Sequence, residues 1–369
     1  MNQAQTVARP IVEAKDLSVV FGGQRVLEVP SFKVFPNEVL GIIGPNGSGK
    51  TTLLLCLTRL IKPQTGIILY RGVPVLDSKH ILQLHRKLAV VFQESLLLNN
   101  SVRDNLVLGL KLRKIPAREI KARVEKWLER FGIAALAKRQ ARTLSSGEAK
   151  RTSLARAFAL QPEVLYLDEP FTALDGPTRQ ALLEDFKSVL GETRITTVIV
   201  THDRNEALAL TDRLAVLMKG NIVQLGTPAE VFSSPASEEI ANFVEAGNIL
   251  HGVVVAQNGG LATVHAGELQ IDAVSELPIG TNVILLLPYD DIAIFMPSSG
   301  TMTTSVRNRF PGEVVRMFPI GSQVRVTINC GFHLTALITR KSAEEMGLRE
   351  GVKVVAMVKA VSIRVIGRH

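Results

Sequence analysis

Cysteine is scarce in this 369-residue chain: Cys56 and Cys330 are the only two. Two thiols are too few for a disulfide framework, suit a reducing compartment, and read as buried core residues. Long apolar runs are absent as well. None approaches the ~18 uncharged apolar residues that a membrane-crossing helix needs; runs such as Leu53–Leu57 and Val283–Leu287 are short. The first ten residues hold no apolar segment of the secretory-signal type. Tryptophan occurs once, at Trp127, and no basic patch is interleaved with aromatics, so no nucleic-acid surface is expected.

What is present is ordinary for a globular protein, with 46% apolar and 21% charged residues. At roughly 100–200 residues per domain, the length implies two or three domains. Charge is unevenly placed. The 43 Lys and Arg exceed the 34 Asp and Glu by 9, yet Lys111 to Arg156 alone holds 14 basic and 4 acidic residues. The excess is therefore local. It suits an anionic leaflet or the acidic ends of partner helices, and equally a solvated helical face.

Short β-like runs fill residues 11–43, broken by Gly22-Gly23 and Pro36-Asn37. Val39–Ile43 reads as a buried strand entering a glycine-rich turn and a helix over Lys50–Leu60. The middle third reads as helical, with Ile120, Val124, Leu128 and Phe131 at helical spacing. Val164–Leu167 and Thr196–Val200 are further buried strands flanking a helix around Thr178–Leu190. Such alternation implies a largely parallel sheet with crossovers. A helix over Ser237–Glu245 ends at Gly247. Beyond it the pattern is period two, with one short helix at Ser342–Met346 that Ser342 would cap. The boundary is set at 247, so that 1–247 form one domain and 248–369 a β-barrel-like one.

Chemistry concentrates in the first domain. Gly44, Pro45, Asn46, Gly47, Ser48, Gly49, Lys50 and Thr51 fit G-x-x-x-x-G-K-[ST]. Such a loop curls backbone N–H groups around phosphate oxygens, aided by the helix N-terminus. Lys50 is then placed for the β- and γ-phosphates and Thr51 for Mg2+, with Thr52 beside them. Val164–Glu169 is an apolar strand ending in two carboxylates. Asp168 would hold the metal and Glu169 would act as general base toward water.

The order of further motifs resembles an ABC-type ATPase over residues 11–247. Phe21 stands where that family stacks an aromatic on adenine. Gln93 matches the Q-loop glutamine, which touches the metal. Leu144-Ser145-Ser146-Gly147-Glu148 matches the LSGGQ signature, Thr172–Asp175 the D-loop, and His202 the switch histidine. The resemblance implies ATP and Mg2+ as cofactors and a P-loop α/β domain with a helical subdomain at about 94–160. It further implies a head-to-tail homodimer in which Ser145 and the Gly147 N–H of one copy bind the γ-phosphate held by the other, and it counts Asp175 among the nucleotide-binding residues. Two signature positions depart: Ser146 replaces a glycine, and Glu148 replaces glutamine and brings a negative charge toward ATP.

Residues 248–369 resemble the small all-β, OB-like TOBE/Mop domain of importer ATPases. Thr304–Asn308 looks like the Mop-type stretch, and Ser305, Arg307 and Lys359 offer donors suited to an oxyanion. The whole chain looks closest to tungstate and molybdate importers. That implies two transmembrane permease subunits, an extracytoplasmic substrate-binding protein acting through them, and a peripheral position on the cytoplasmic face of the plasma membrane. Sulfate or ferric-iron import, and a soluble non-transport ATPase, stay open as alternatives.

Overall fold

The computed structural model describes residues 9–297 and 304–367. By internal contacts the chain divides into Met1–Pro228 and Ala229–His369. The first unit runs, in chain order, β1 (Val12–Phe21), β2 (Gln24–Val34), β3 (Val39–Ile43), α1 (Lys50–Leu57), β4 (Thr65–Tyr70), β5 (Val73–Pro74), α2 (Ser78–Lys87) and β6 (Leu88–Val91). It continues through α3 (Val102–Leu112), α4 (Ala117–Arg130), α5 (Ser146–Ala159), β7 (Val164–Asp168), α6 (Gly176–Thr193), β8 (Thr196–Val200), α7 (Arg204–Leu210), β9 (Arg213–Met218) and β10 (Asn221–Gly226).

Strands β3, β7 and β8 are buried at every residue. A strand covered on both faces has no solvent side to alternate with, which is why these read as continuous apolar runs. They sit inside a six-stranded sheet ordered β10-β9-β3-β8-β7-β6, parallel except for β10 at its edge. Their side chains still alternate between two cores. Leu165, Leu167 and Ile199 join the helices α3 to α6, whereas Val164, Tyr166, Val198 and Val200 join α1 and the antiparallel sheet β2-β1-β4-β5. In the first core, ring contacts run from Trp127 to Phe158 (4.9 Å), Phe158 to Phe186 (6.0 Å) and Phe186 to Phe171 (5.6 Å). They tie α4, α5 and α6 to the loop just after Glu169.

Helix ends differ from the sequence reading where local hydrogen bonding decides them. Helix α1 stops at Leu57 rather than Leu60, because the Thr58 hydroxyl turns back onto Leu54 O and Arg59 adopts φ 56°. Helix α6 is longer than expected. Asp175 accepts from Thr178 N at its start, and Arg194 closes it in the left-handed region.

The second unit carries α8 (Pro228–Ser233), α9 (Glu238–Phe243), β11 (Asn248–Asn258), β12 (Leu261–Ala266), β13 (Leu269–Val274), β14 (Asn282–Leu287), β15 (Ala293–Phe295), β16 (Asn308–Ile320), β17 (Gln323–Asn329), β18 (His333–Thr339), α10 (Arg340–Glu345), β19 (Lys353–Val358) and β20 (Arg364–Gly367). Contacts group residues 229–247 with this unit: Glu238 pairs with His251 at 3.0 Å and Glu245 with Arg325 at 3.4 Å. The strands form two antiparallel five-stranded sheets, β13-β12-β11-β14-β20 and β15-β19-β16-β17-β18, around one apolar core. Ser342 is not the cap of α10. Thr339 is, its hydroxyl accepting from Ser342 N at 3.1 Å. Cys56 is buried and Cys330 half-buried, both free, and burial pushes each thiol up to about 11.

Candidate active site

The turn between β3 and α1 carries Gly44–Lys50. Gly49 caps α1 at φ 101°, a conformation closed to most side chains, and a Cβ on Gly44 would lie 2.0 Å from Leu217 O. Lys50 is 6% exposed, and its ammonium donates to Gly44 O (2.9 Å) and Pro45 O (3.0 Å). Burial lowers its pKa, while the charges of Glu169 and Asp168 pull it back up. The Ser48 hydroxyl is buried with no hydrogen-bond partner. A lysine bonded to its own loop and an orphaned hydroxyl are what an absent polyanion would leave behind. The loop therefore fits a nucleotide phosphate chain.

Parallel pairing with β8 brings the end of β7 beside this loop. Asp168 is 5% exposed. Burial raises its pKa and the neighbouring Glu169 adds to that, while a hydrogen bond with Thr51 and the Lys50 and Lys150 charges lower it. Thr51 and Asp168 thus share one oxygen-rich spot. Glu169, at φ 45°, has its carboxylate held by the Thr172 hydroxyl (3.1 Å) and facing His202 Nδ1 (3.1 Å). The folded chain gathers Lys50, Thr51, Asp168, Glu169 and His202, all expected at the site, at the carboxyl ends of β3, β7 and β8.

The remaining expected residues sit at element ends. Phe21, 48% exposed, closes β1 at a two-glycine turn, and Gln93 is exposed just past β6. Ser145 caps α5, accepting from Glu148 N at 3.3 Å while its own N–H donates to the Glu148 carboxylate at 2.8 Å. Gly147 is buried in the first turn of α5, and Asp175 caps α6. Among the described residues, no hydrogen bond or ion pair joins Ser145, Gly147 or Asp175 to the phosphate loop of the same chain.

One residue escaped the sequence reading. Lys150, 4% exposed on α5, donates to Phe92 O (3.2 Å) and to Gln93 O. Burial lowers its pKa to about 8, against the opposing charges of Asp168 and Glu169. Its only signal was a lysine at a position where α5 turns inward. In the second unit, Arg307 pairs with Asp272 at 3.6 Å, and Asn308 is buried, bridging Asp272 and Val358 O. Ser305 and Lys359 are exposed.

Comparison with known proteins matches the ABC transporter family over residues 27–172 and the TOBE domain family over 304–365. The chain is 40% identical to the molybdate/tungstate import ATP-binding protein WtpC of Pyrococcus horikoshii, covering 91% of this chain and 94% of that one. It is 35% identical to the sulfate/thiosulfate import ATP-binding protein CysA of Mycobacterium tuberculosis, covering 91% and 88%. Among solved structures, cbiO1 of Clostridium perfringens, part of an ABC transporter complex, superposes with a TM-score of 0.57 at 30% identity over 64% of this chain and 95% of its own. The ATP-binding cassette MJ0796, a dimer bound to ADP and Pi, gives 0.54 at 27% identity over 59% and 98%. With its phosphate loop, its paired carboxylates and a relative matched almost end to end, the chain belongs to the ATP-binding proteins of ABC importers and is an ATPase.

Proposed function

We propose that this chain is the motor of an importer for a tetrahedral oxyanion of the molybdate or tungstate kind. The hydrolytic chemistry rests on one observation: a carboxylate, Glu169, fixed by His202 and Thr172 beside a buried lysine and an orphaned hydroxyl. Lys50, the Ser48 hydroxyl and the loop N–H groups bind the phosphates, and Phe21 stacks on the base. Thr51, Asp168 and Gln93 supply hydroxyl, carboxylate and amide oxygens, the hard donors that Mg2+ takes. An ion held by these three residues would supply positive charge to the phosphate oxygens. Glu169 accepts the proton of the attacking water, and His202 holds that carboxylate in line.

In a head-to-tail homodimer, the Ser145 hydroxyl and Gly147 N–H of one copy face the nucleotide of the other, with Asp175 lining the junction. Ser145 Oγ accepts the cap bond, so its own proton is left for a phosphate oxygen. Closing and reopening drive two permease subunits from the cytoplasmic face, fed by an extracytoplasmic binding protein. The cargo reading rests on the archaeal molybdate/tungstate relative, whose match spans both units. Reconstitution with the membrane partners tests it: molybdate or tungstate should stimulate ATP hydrolysis more than sulfate or ferric iron. Preferential stimulation by sulfate would overturn the cargo.

A further inference from the structure

Between β6 and α3 the chain passes through Phe92–Leu96 without regular structure, so its carbonyls need partners from elsewhere. Helix α5 supplies them. Lys150 Nζ reaches Phe92 O and Gln93 O, Ser153 Oγ reaches Ser95 O at 3.2 Å, and the Arg156 guanidinium reaches Ser95 O at 3.4 Å and Leu96 O at 3.0 Å. Residues 150, 153 and 156 lie three apart, along one face of a helix. Leu96 is held at φ 38°, a left-handed conformation that a leucine does not choose unaided.

Lys150 is the unusual member. Lysine is almost never fully buried unless its charge is met, and here the ammonium lies against two carbonyls while Asp168 and Glu169 compensate it through space. Nothing in the loop's own sequence would fix the backbone of Gln93. The side chain that fixes it belongs to the helix that Ser145 caps and whose first turn carries Gly147.

We propose that Lys150 is a positioning residue for hydrolysis, fastening the backbone of Gln93 to the signature helix so that a shift of α5 is delivered to the Gln93 side chain. Lys150, Ser153 and Arg156 act as one strap, with Lys150 at the end nearest the reacting groups. The proposal rests on the reading of Gln93 as a metal-contacting residue, and its test separates the two.

Lys150→Met removes the donor while keeping the bulk, and Lys150→Gln keeps an amide donor without the charge. In the full chain, kcat should fall about 10- to 100-fold in Lys150→Met, as expected when a reacting group is displaced by a fraction of an ångström to an ångström. Affinity for ATP without Mg2+ should stay within about twofold, and amide hydrogen exchange over residues 92–98 should quicken about tenfold. Lys150→Gln should recover a part of both losses. Wild-type exchange over 92–98 in Lys150→Met would overturn the strap, as would a loss of ATP affinity in step with kcat. If Lys150→Met fails to fold, Arg156→Gln loosens the same segment from its far end, and unchanged exchange there also overturns it. Gln93→Ala is measured alongside: an unaltered kcat in that variant overturns the reading of Gln93, and with it the catalytic part of the proposal, whereas exchange alone judges the strap.

Discussion

Glu148 shows what a single residue's sequence context conceals. In the signature it stands where glutamine is usual, and its charge suggests repulsion toward ATP. In the folded chain it closes a capping box with Ser145 and pairs with Arg139 at 3.3 Å. The Ser145 N–H bond is the chief cause holding its carboxyl below the usual range. Glutamine retains an acceptor for that N–H and sheds only a solvent-exposed ion pair, worth about 0–1 kcal/mol. Glu148→Gln should therefore keep ATPase activity equal or raise it, with stability lowered by no more than about 1 kcal/mol in chemical denaturation. A large loss of turnover would mean that the carboxylate itself takes part. Residues with a motif around them, such as Lys50 and Glu169, were legible because chemistry fixes both type and spacing. Lys150 was not, since its partners are backbone carbonyls nearly sixty residues earlier, and carbonyls leave no mark in a sequence.

At the scale of elements, Glu163 joins three of them just ahead of β7. Its carboxylate accepts from Tyr70 at the end of β4 (2.6 Å), from Arg71 (2.7 Å) and from Lys87 at the end of α2 (2.7 Å). Partial burial pushes its pKa up, but the three hydrogen bonds together outweigh that and bring it to about 2. The folded value lies below the ordinary 4.5, so the unfolded chain binds the extra proton. The stabilisation is complete above about pH 4.5 and is lost as pH falls toward 2. Glu163→Gln should accordingly flatten the fall in stability between those limits, measured by denaturant unfolding across pH; an unchanged slope would refute the coupling. Elements with a plain burial pattern, such as the continuous apolar runs of β7 and β8 and the helical spacing of α4, could be read from the chain because burial alone dictates that pattern. Element ends could not. At Thr58 and Thr339 a hydroxyl bonding to the local backbone decides where a helix stops or starts, and either a serine or a threonine nearby satisfies the same sequence rule.

For the whole molecule the telling property is charge, whose excess falls between Lys111 and Arg156. Folding divides that excess in two. Arg123, Arg130, Arg139 and Arg151 pair with carboxylates, while Arg113, Lys150 and Arg156 donate to backbone carbonyls. These hold the helices together and are unavailable to a partner. Lys114, Arg118 and Lys121 are exposed around the start of α4, with no ion pair among the described residues. No described helix is long and apolar enough to cross a membrane; this patch is of the kind that suits an anionic surface. At about 1 kcal/mol per well-placed charge, reversing all three to glutamate should weaken sedimentation with anionic vesicles at least tenfold at low salt and leave binding to neutral vesicles unaltered. ATPase activity should be unchanged, because none of the three contacts the phosphate loop or β7. Equal vesicle binding by the reversed and native chains would mark the patch as a solvated face, and leave the exposed Lys111, Lys126, Lys138 and Arg142 as the basic surface of this segment still to be tested.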